Sequence, residues 1–328
     1  MDTGQKLTEQ ELAKLEKRIF TVYQEAYNGL DATIREYFSK FSERDKEMKA
    51  QLDAGKITEE HYRQWRIAQI GRGKRFEALR DQVAERMTNA NATAVAYVND
   101  ATPGIYSLNR NFAAYTIEQV TGDVGFDIWD EQTVKRLISE QPELMPYYPE
   151  KRALNRGIDL AYGKKQITAS VTSSILQGRS IKGMADDLQS RIITMNRDSA
   201  IRTARTAVTG AQNAGRLDSY YAAEKMGIKC RKQWMATLDG RTRHSHAMLD
   251  GEIVDNDKKF SNGCRYPGDP NGPPSEIYNC RCTLVSEIEG IDTSGGKRRA
   301  RNQATGRNEL IENMSYAEWA GWKKKNGR

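Results

Sequence analysis

Leu12, Leu15, Ile19, Val22, Ala26, Leu30, Ile34, Phe38 and Phe41 recur at steps of three or four. The spacing predicts one long helix with a single apolar stripe. The stripe is mostly aliphatic, and it needs another helix or a partner protein to cover it. The segment 53–56, Asp-Ala-Gly-Lys, ends the pattern on a glycine, and Thr58 reads as the N-cap of a new helix. Tyr62, Trp65 and Ala68, then Phe76, Leu79 and Val83, give that helix its face, with Gly71 and Gly73 marking a break between the two groups. A short loop between long helices predicts an αα-hairpin.

The middle of the chain is less regular. Residues 111–125 mix aromatic and β-branched side chains without a period. Pro142, Pro146 and Pro149 bracket a hinge, and 151–176 reads as helix. Ser180 is placed to cap a helix with Ile181, Met184, Leu188 and Ile192 inward. Asn196 is placed to cap another, in which Ile201, Ala204, Val208 and Ala211 form a narrow small-residue stripe that predicts close helix packing.

Beyond residue 227 the period shortens. Residues 228–237 and 282–286 read as strands, separated by a Gly/Pro/Asn-rich excursion that holds Pro267, Pro270, Pro273 and Pro274. The whole is expected to be mainly α: a long N-terminal helical hairpin and a helical middle, followed by a small α+β C-terminal domain. The expected divisions are 1–148, 149–226, 227–290 and a basic tail 291–328.

Composition narrows the class. The chain has 328 residues with 29% charged, room for two or three domains, and its mean hydropathy is −0.77. No stretch reaches the ~20 apolar residues of a membrane span, and the N-terminus lacks the apolar core of a secretory signal. Of the net charge of +7, the segment 291–328 carries nine Lys/Arg against four Asp/Glu, so +5 resides there. Lys297, Arg298, Arg299 and Arg301, with Lys323, Lys324 and Lys325, are candidates for neutralising DNA phosphates without reading sequence. Trp319 and Trp322, on an expected short helix, would stack on bases or pack the tail on protein; a solvated terminus is the competing reading.

Four cysteines, at 230, 264, 280 and 282, are too few for a disulfide scaffold in a chain of this length. His246, Cys264, Cys280 and Cys282 offer one imidazole and three thiols, a donor set suited to tetrahedral zinc, with His244 as a substitute ligand. Against this stands the reading of buried hydrophobic cysteines around a rigid loop. Asp239 is placed to cap a short helix over 241–249 and to pair with Arg241 or Arg243, and Asp250-Gly251 to end it. His244, His246 and Asn262 leave open a metal-dependent nuclease. A free DNA-binding protein is the other alternative. No phosphate-binding loop, nucleophile elbow or dinucleotide fingerprint is present.

The run Arg202-Thr203-Ala204-Arg205-Thr206 is followed by Asn213, Arg216 and Tyr220, then Trp234, Ala236, Asp239, Arg241, Arg243, His246, Leu249, Asp250 and Gly251. Phe260, Tyr266-Pro267-Gly268-Asp269-Pro270 and Asn279-Cys280-Arg281-Cys282 complete the order. This pattern, over 180–287, resembles the phage head morphogenesis family, the minor head proteins similar to the F protein of phage Mu. The closing Met314-Ser315-Tyr316-x-Glu318-Trp319 is similar to tails in that family.

The resemblance implies a non-enzymatic part of the virion of a tailed bacteriophage, assembled in the host cytoplasm. It would lie inside the capsid near the portal vertex, touch the portal protein, the major capsid or scaffolding protein and double-stranded DNA, and assist head assembly, packaging or ejection. Trp234, Asp239, Arg241, Arg243, Asp250, Gly251, Asn279 and Arg281 are then structural motif residues.

Overall fold

The computed structural model describes residues 3–122, 124–140, 158–190, 194–291, 297–301, 308–312 and 318. Mainly helical, it runs α1 (Thr3–Ser39), α2 (Ser42–Asp53), α3 (Glu59–Ile70), α4 (Lys74–Thr121), α5 (Glu131–Glu140), α6 (Leu160–Leu176), α7 (Ile181–Gln189) and α8 (Met195–Lys225). There follow β1 (Cys230–Met235), α9 (His244–Met248), β2 (Ile253–Val254), α10 (Pro274–Ile277), β3 (Thr283–Ile288), β4 (Lys297–Arg301) and β5 (Asn308–Glu312).

Two compact units divide the chain, and each is drawn from non-consecutive segments. A helical unit comprises Glu16–Tyr97 and Pro149–Ile201; a mixed unit comprises Met1–Leu15, Val98–Tyr148 and Arg202–Arg328. A reading along the sequence has only consecutive stretches to work with, whereas α1, α4 and α8 each contribute residues to both units.

In the helical unit most of the leading stripe is buried as its spacing predicts, Ile19, Ala26, Leu30, Ile34 and Phe38 among it; Val22 and Phe41 are half-buried, and Tyr23, outside the predicted set, is inaccessible in their stead. Of the two covers anticipated, another helix and a partner protein, the chain's own helices supply it. Phe76, Leu79, Val83 and Met87 of α4, Ile167, Val171 and Ile175 of α6, and Met184 and Leu188 of α7 are buried in the same unit. Polar contacts fix the register of this packing. Tyr23 Oη donates to Asn91 Oδ1 at 2.5 Å, Tyr37 Oη to the Ile70 carbonyl at 2.6 Å, and Arg35 pairs with Asp186 at 3.3 Å. Each buried aliphatic side chain contributes about 1.5–3 kcal/mol, so the chain's own helices suffice to cover the stripe.

The expected hairpin is four helices. A turn after Ser39 separates α1 from α2, and the break anticipated at Gly71 and Gly73 separates α3 from α4. Thr58 and Ser180 cap as predicted, accepting the amides of His61 at 3.1 Å and Gly183 at 3.0 Å. Asn196 is no cap, because α8 already begins at Met195; its side chain accepts from Asn91 instead. Residues 111–121, which show no period, continue α4 through Pro103. Those expectations that fall on the hinge 142–149, Ile192, the helix around Trp319 (apart from Glu318) and Lys323–Lys325 lie outside the described residues.

In the mixed unit β1 is the centre of an antiparallel sheet ordered β2-β1-β3, in which Lys232 faces Val254 and Trp234 faces Leu284 across the ladder. Both strands anticipated from the sequence are present within a few residues of their expected ends. In the basic segment, β4 and β5 form an antiparallel pair with Lys297 opposite Glu312 and Ala300 opposite Glu309. Lys297, Arg298, Arg299 and Arg301 therefore lie on a paired strand.

Candidate functional site

The site is built on α8. From Thr206 to Tyr220 nearly every residue is buried. Small side chains let neighbouring backbone come close: a Cβ on Gly215 would lie 2.4 Å from the Tyr106 carbonyl oxygen. Gly268, at φ +81°, brings the proline-rich loop to the helix, where a Cβ would meet the Gly210 amide at 2.8 Å. Only glycine serves both needs there, a left-handed backbone and no side chain.

Polar side chains of α8 then take up the backbone groups of that loop and of β3. Thr209 Oγ1 donates to the Cys280 carbonyl at 2.8 Å. Asn213 Nδ2 donates to the carbonyls of Pro267 at 3.0 Å and Cys282 at 3.2 Å, while its Oδ1 accepts the Leu284 amide at 2.8 Å. Arg216 reaches the Leu284 carbonyl at 3.0 Å, and Thr206 Oγ1 accepts the amide of Asn279, which holds φ +53°. Buried backbone groups require partners, and here one helix face supplies them.

The motif residues fall into place around this frame. Trp234 is fully buried, edge-on to His246 and to Phe260 with ring centroids 5.3 and 5.1 Å apart. Asp250 Oδ1 accepts the Ala236 amide at 2.8 Å, and Gly251 turns the chain at φ +88°. Asp239 caps the Arg241 amide at 2.9 Å, but its ion pair is with Arg281, through both carboxylate oxygens, and not with Arg241 or Arg243. Burial opposes ionisation of Asp239; the Arg281 pair outweighs it and lowers the pKa. Arg243 donates to the Tyr278 carbonyl. Lys232, wholly enclosed, gives its ammonium to the carbonyls of Asn256 at 2.9 Å and Lys258 at 2.6 Å. Burial, helped by nearby Arg265, pushes its pKa down to about 8.

Of the four residues expected to share a metal, the fold brings three together. His246, Cys280 and Cys282 are buried with their donor atoms within 4.8 Å of one another. His246 Nδ1 lies 3.4 Å from Cys282 Sγ and 3.6 Å from Cys280 Sγ. Cys264 is also buried but outside this cluster, against Gly272. His244, the substitute ligand, is exposed at the start of α9. Burial opposes ionisation of both thiols of the cluster. At Cys282 the Cys280 thiol and His246 overcome it and the pKa falls, whereas at Cys280 burial prevails and the pKa rises.

Glu276 was missed by the sequence reading. Its Oε2 lies 3.2 Å from His246 Nε2, an oblique electrostatic contact, and it accepts from Ser245 at 3.0 Å. Its place just after Pro273-Pro274, at the first turn of α10, is the signal that could have found it.

The Phage Mu protein F like protein family matches residues 165–285, from α6 into β3. The chain is 28% identical over 320 residues to "Minor head protein GP7" of Bacillus phage SPP1, covering 95% of this chain and 94% of that protein. It is 31% identical over 157 residues to "NAD(+)--arginine ADP-ribosyltransferase EFV" of Enterococcus faecalis, covering 47% of this chain and 31% of that protein. "Uncharacterized protein YqbB" of Bacillus subtilis is 31% identical over 126 residues, 36% of this chain and 40% of that protein. No solved structure matches. The motif pattern, its wiring onto α8 and a likeness that runs end to end point the same way: residues 165–285 match the Mu F-like family, and the chain as a whole is similar to a minor head protein of a tailed bacteriophage.

Proposed function

We propose that this minor head protein sits inside the head, bound to the portal at its vertex, and assists head assembly, DNA packaging or DNA delivery. The supporting observation is the similarity over nearly the full length of both chains to a protein named for its place in a phage head. A short shared domain could be borrowed for another purpose; shared architecture from one end to the other argues for a shared role. The portal protein is the principal partner, with the major capsid or scaffolding protein beside it. Lys297, Arg298, Arg299 and Arg301 on β4, with Lys323, Lys324 and Lys325, meet the phosphates of double-stranded DNA.

The protein acts as a fitted part and not as a catalyst. A nuclease would need an imidazole nitrogen free to activate water. His246 is instead enclosed, with Nδ1 turned to two thiols and Nε2 to Glu276. The test is the composition of heads assembled in host cells with and without the portal gene. The chain is expected in heads that carry a portal and absent from those that do not. Equal incorporation without a portal would overturn portal binding.

A further inference from the structure

We infer that His246, Cys280 and Cys282 form a binding site for one soft divalent cation, zinc by donor chemistry, with a non-protein ligand completing its coordination. Metal–sulfur bonds of about 2.3 Å and metal–nitrogen bonds of about 2.0–2.1 Å, meeting at the tetrahedral angle, put nitrogen and sulfur about 3.5–3.6 Å apart. The two separations in the protein are 3.4 and 3.6 Å, both to the same nitrogen, Nδ1. The nitrogen is thus already spaced from both sulfurs as a metal would hold it.

The Cys-x-Cys spacing has a local cause. Burial alternates along 280–282, just before β3: both cysteines turn inward and Arg281 turns outward to Asp239. That ion pair, the Arg243 bond to the Tyr278 carbonyl and the Thr209 bond to the Cys280 carbonyl hold the segment from three sides. The third donor arrives on α9. Its Nε2 lies 3.2 Å from the Glu276 carboxylate without a hydrogen bond between them, and that negative charge favours the tautomer with the proton on Nε2 and the Nδ1 lone pair toward the sulfurs.

Binding replaces each S–H bond by a sulfur–metal bond. The two thiol protons leave to solvent, two thiolates and one neutral imidazole remain on the dication, and no electron is transferred. Two thiolates and an imidazole favour zinc over the harder cations, which prefer oxygen. The cation ties α9 to the segment before β3, adding a fastening to those supplied by α8.

The experiment uses the full chain, purified without chelator and dialysed against zinc and then against metal-free buffer. Elemental analysis is expected to give about one zinc per chain. Replacing zinc by cobalt(II) is expected to give a thiolate-to-cobalt charge-transfer band with the intense visible bands of a tetrahedral ion. Cys230→Ser, remote in the sequence pattern, should keep both signals. Cys282→Ser and His246→Ala should each lower zinc content at least tenfold. Because either variant could also lose its fold, circular dichroism accompanies each, and the wild-type cobalt spectrum stands as an independent readout. Folded wild-type protein holding less than a tenth of an equivalent of zinc after dialysis, or cobalt bound without a charge-transfer band, would overturn the site.

Discussion

The helical unit and the segment wired to α8 solve the problem of uniqueness in different ways. In the helical unit, large apolar side chains such as Leu30, Ile34 and Val83 fill the interior, and the charged pairs between neighbouring turns, such as Arg44–Glu47, stay in solvent. Around α8 the buried face carries Thr209, Gln212, Asn213, Arg216 and Ser219, each bonded to named backbone or side-chain groups. Apolar burial tolerates substitutions of similar volume. Directional bonds to buried carbonyls do not, since a lost partner leaves a desolvated polar group behind. The second arrangement fixes a loop-rich segment that hydrophobic packing alone would leave under-determined.

That contrast is sharpest at Asn213. Asn213→Ala strands the Pro267 and Cys282 carbonyls and the Leu284 amide, and a loss of about 4 kcal/mol is expected from one to three per stranded group. Urea unfolding measures it; a loss below about 1 kcal/mol would mean that the bonds merely accompany the packing. Leu30→Ala in the helical unit is expected to cost roughly 3 kcal/mol, while Leu30→Met costs under about 1.5 kcal/mol. Equal losses for the two Leu30 variants in the same denaturation assay would contradict a core held by volume and apolar area.

Lys232 sharpens the comparison through pH. Its folded pKa, pushed down to about 8 by burial, lies below the ordinary lysine value of 10.5. Between those values the unfolded chain binds a proton that the folded chain does not, so stability rises with pH. The penalty is fully present below pH ~8 and disappears toward pH ~10.5. Measured against Lys232→Met, the wild type should gain about 3 kcal/mol across that window; parallel pH curves would show that the ammonium is not held in a dry site. The smallest effect is expected at the surface: Glu47→Ala, breaking an exposed pair with Arg44, should change stability by less than about 0.5 kcal/mol. A larger loss there would blur the distinction between the two regions.

Much of this was legible in the residues. The stripe from Leu15 to Phe38, the caps at Thr58 and Ser180, and the strands around Trp234 and Leu284 follow from periodicity and turn chemistry. The covering of the stripe was not, because a sequence shows which face is apolar but not which later helix returns to it. Residues 111–121 hid their helix in part because a polar residue there, Asn111, is bonded to the Trp129 backbone rather than left to solvent. At the cysteines, composition grouped Cys264 with Cys280 and Cys282, whereas the alternating burial along 280–282 and the arrival of α9 decide which thiols meet. Asp239 shows the same limit: proximity in sequence pointed to Arg241 and Arg243, and the ion pair comes from Arg281, 42 residues away.

The most direct test of the functional account is sedimentation of the purified chain with purified portal rings of its own phage, at physiological salt. The account predicts that the chain, folded by itself, moves with the ring at a fixed ratio. A chain that stays at its own sedimentation rate beside intact rings, at concentrations well above those in an infected cell, would contradict it.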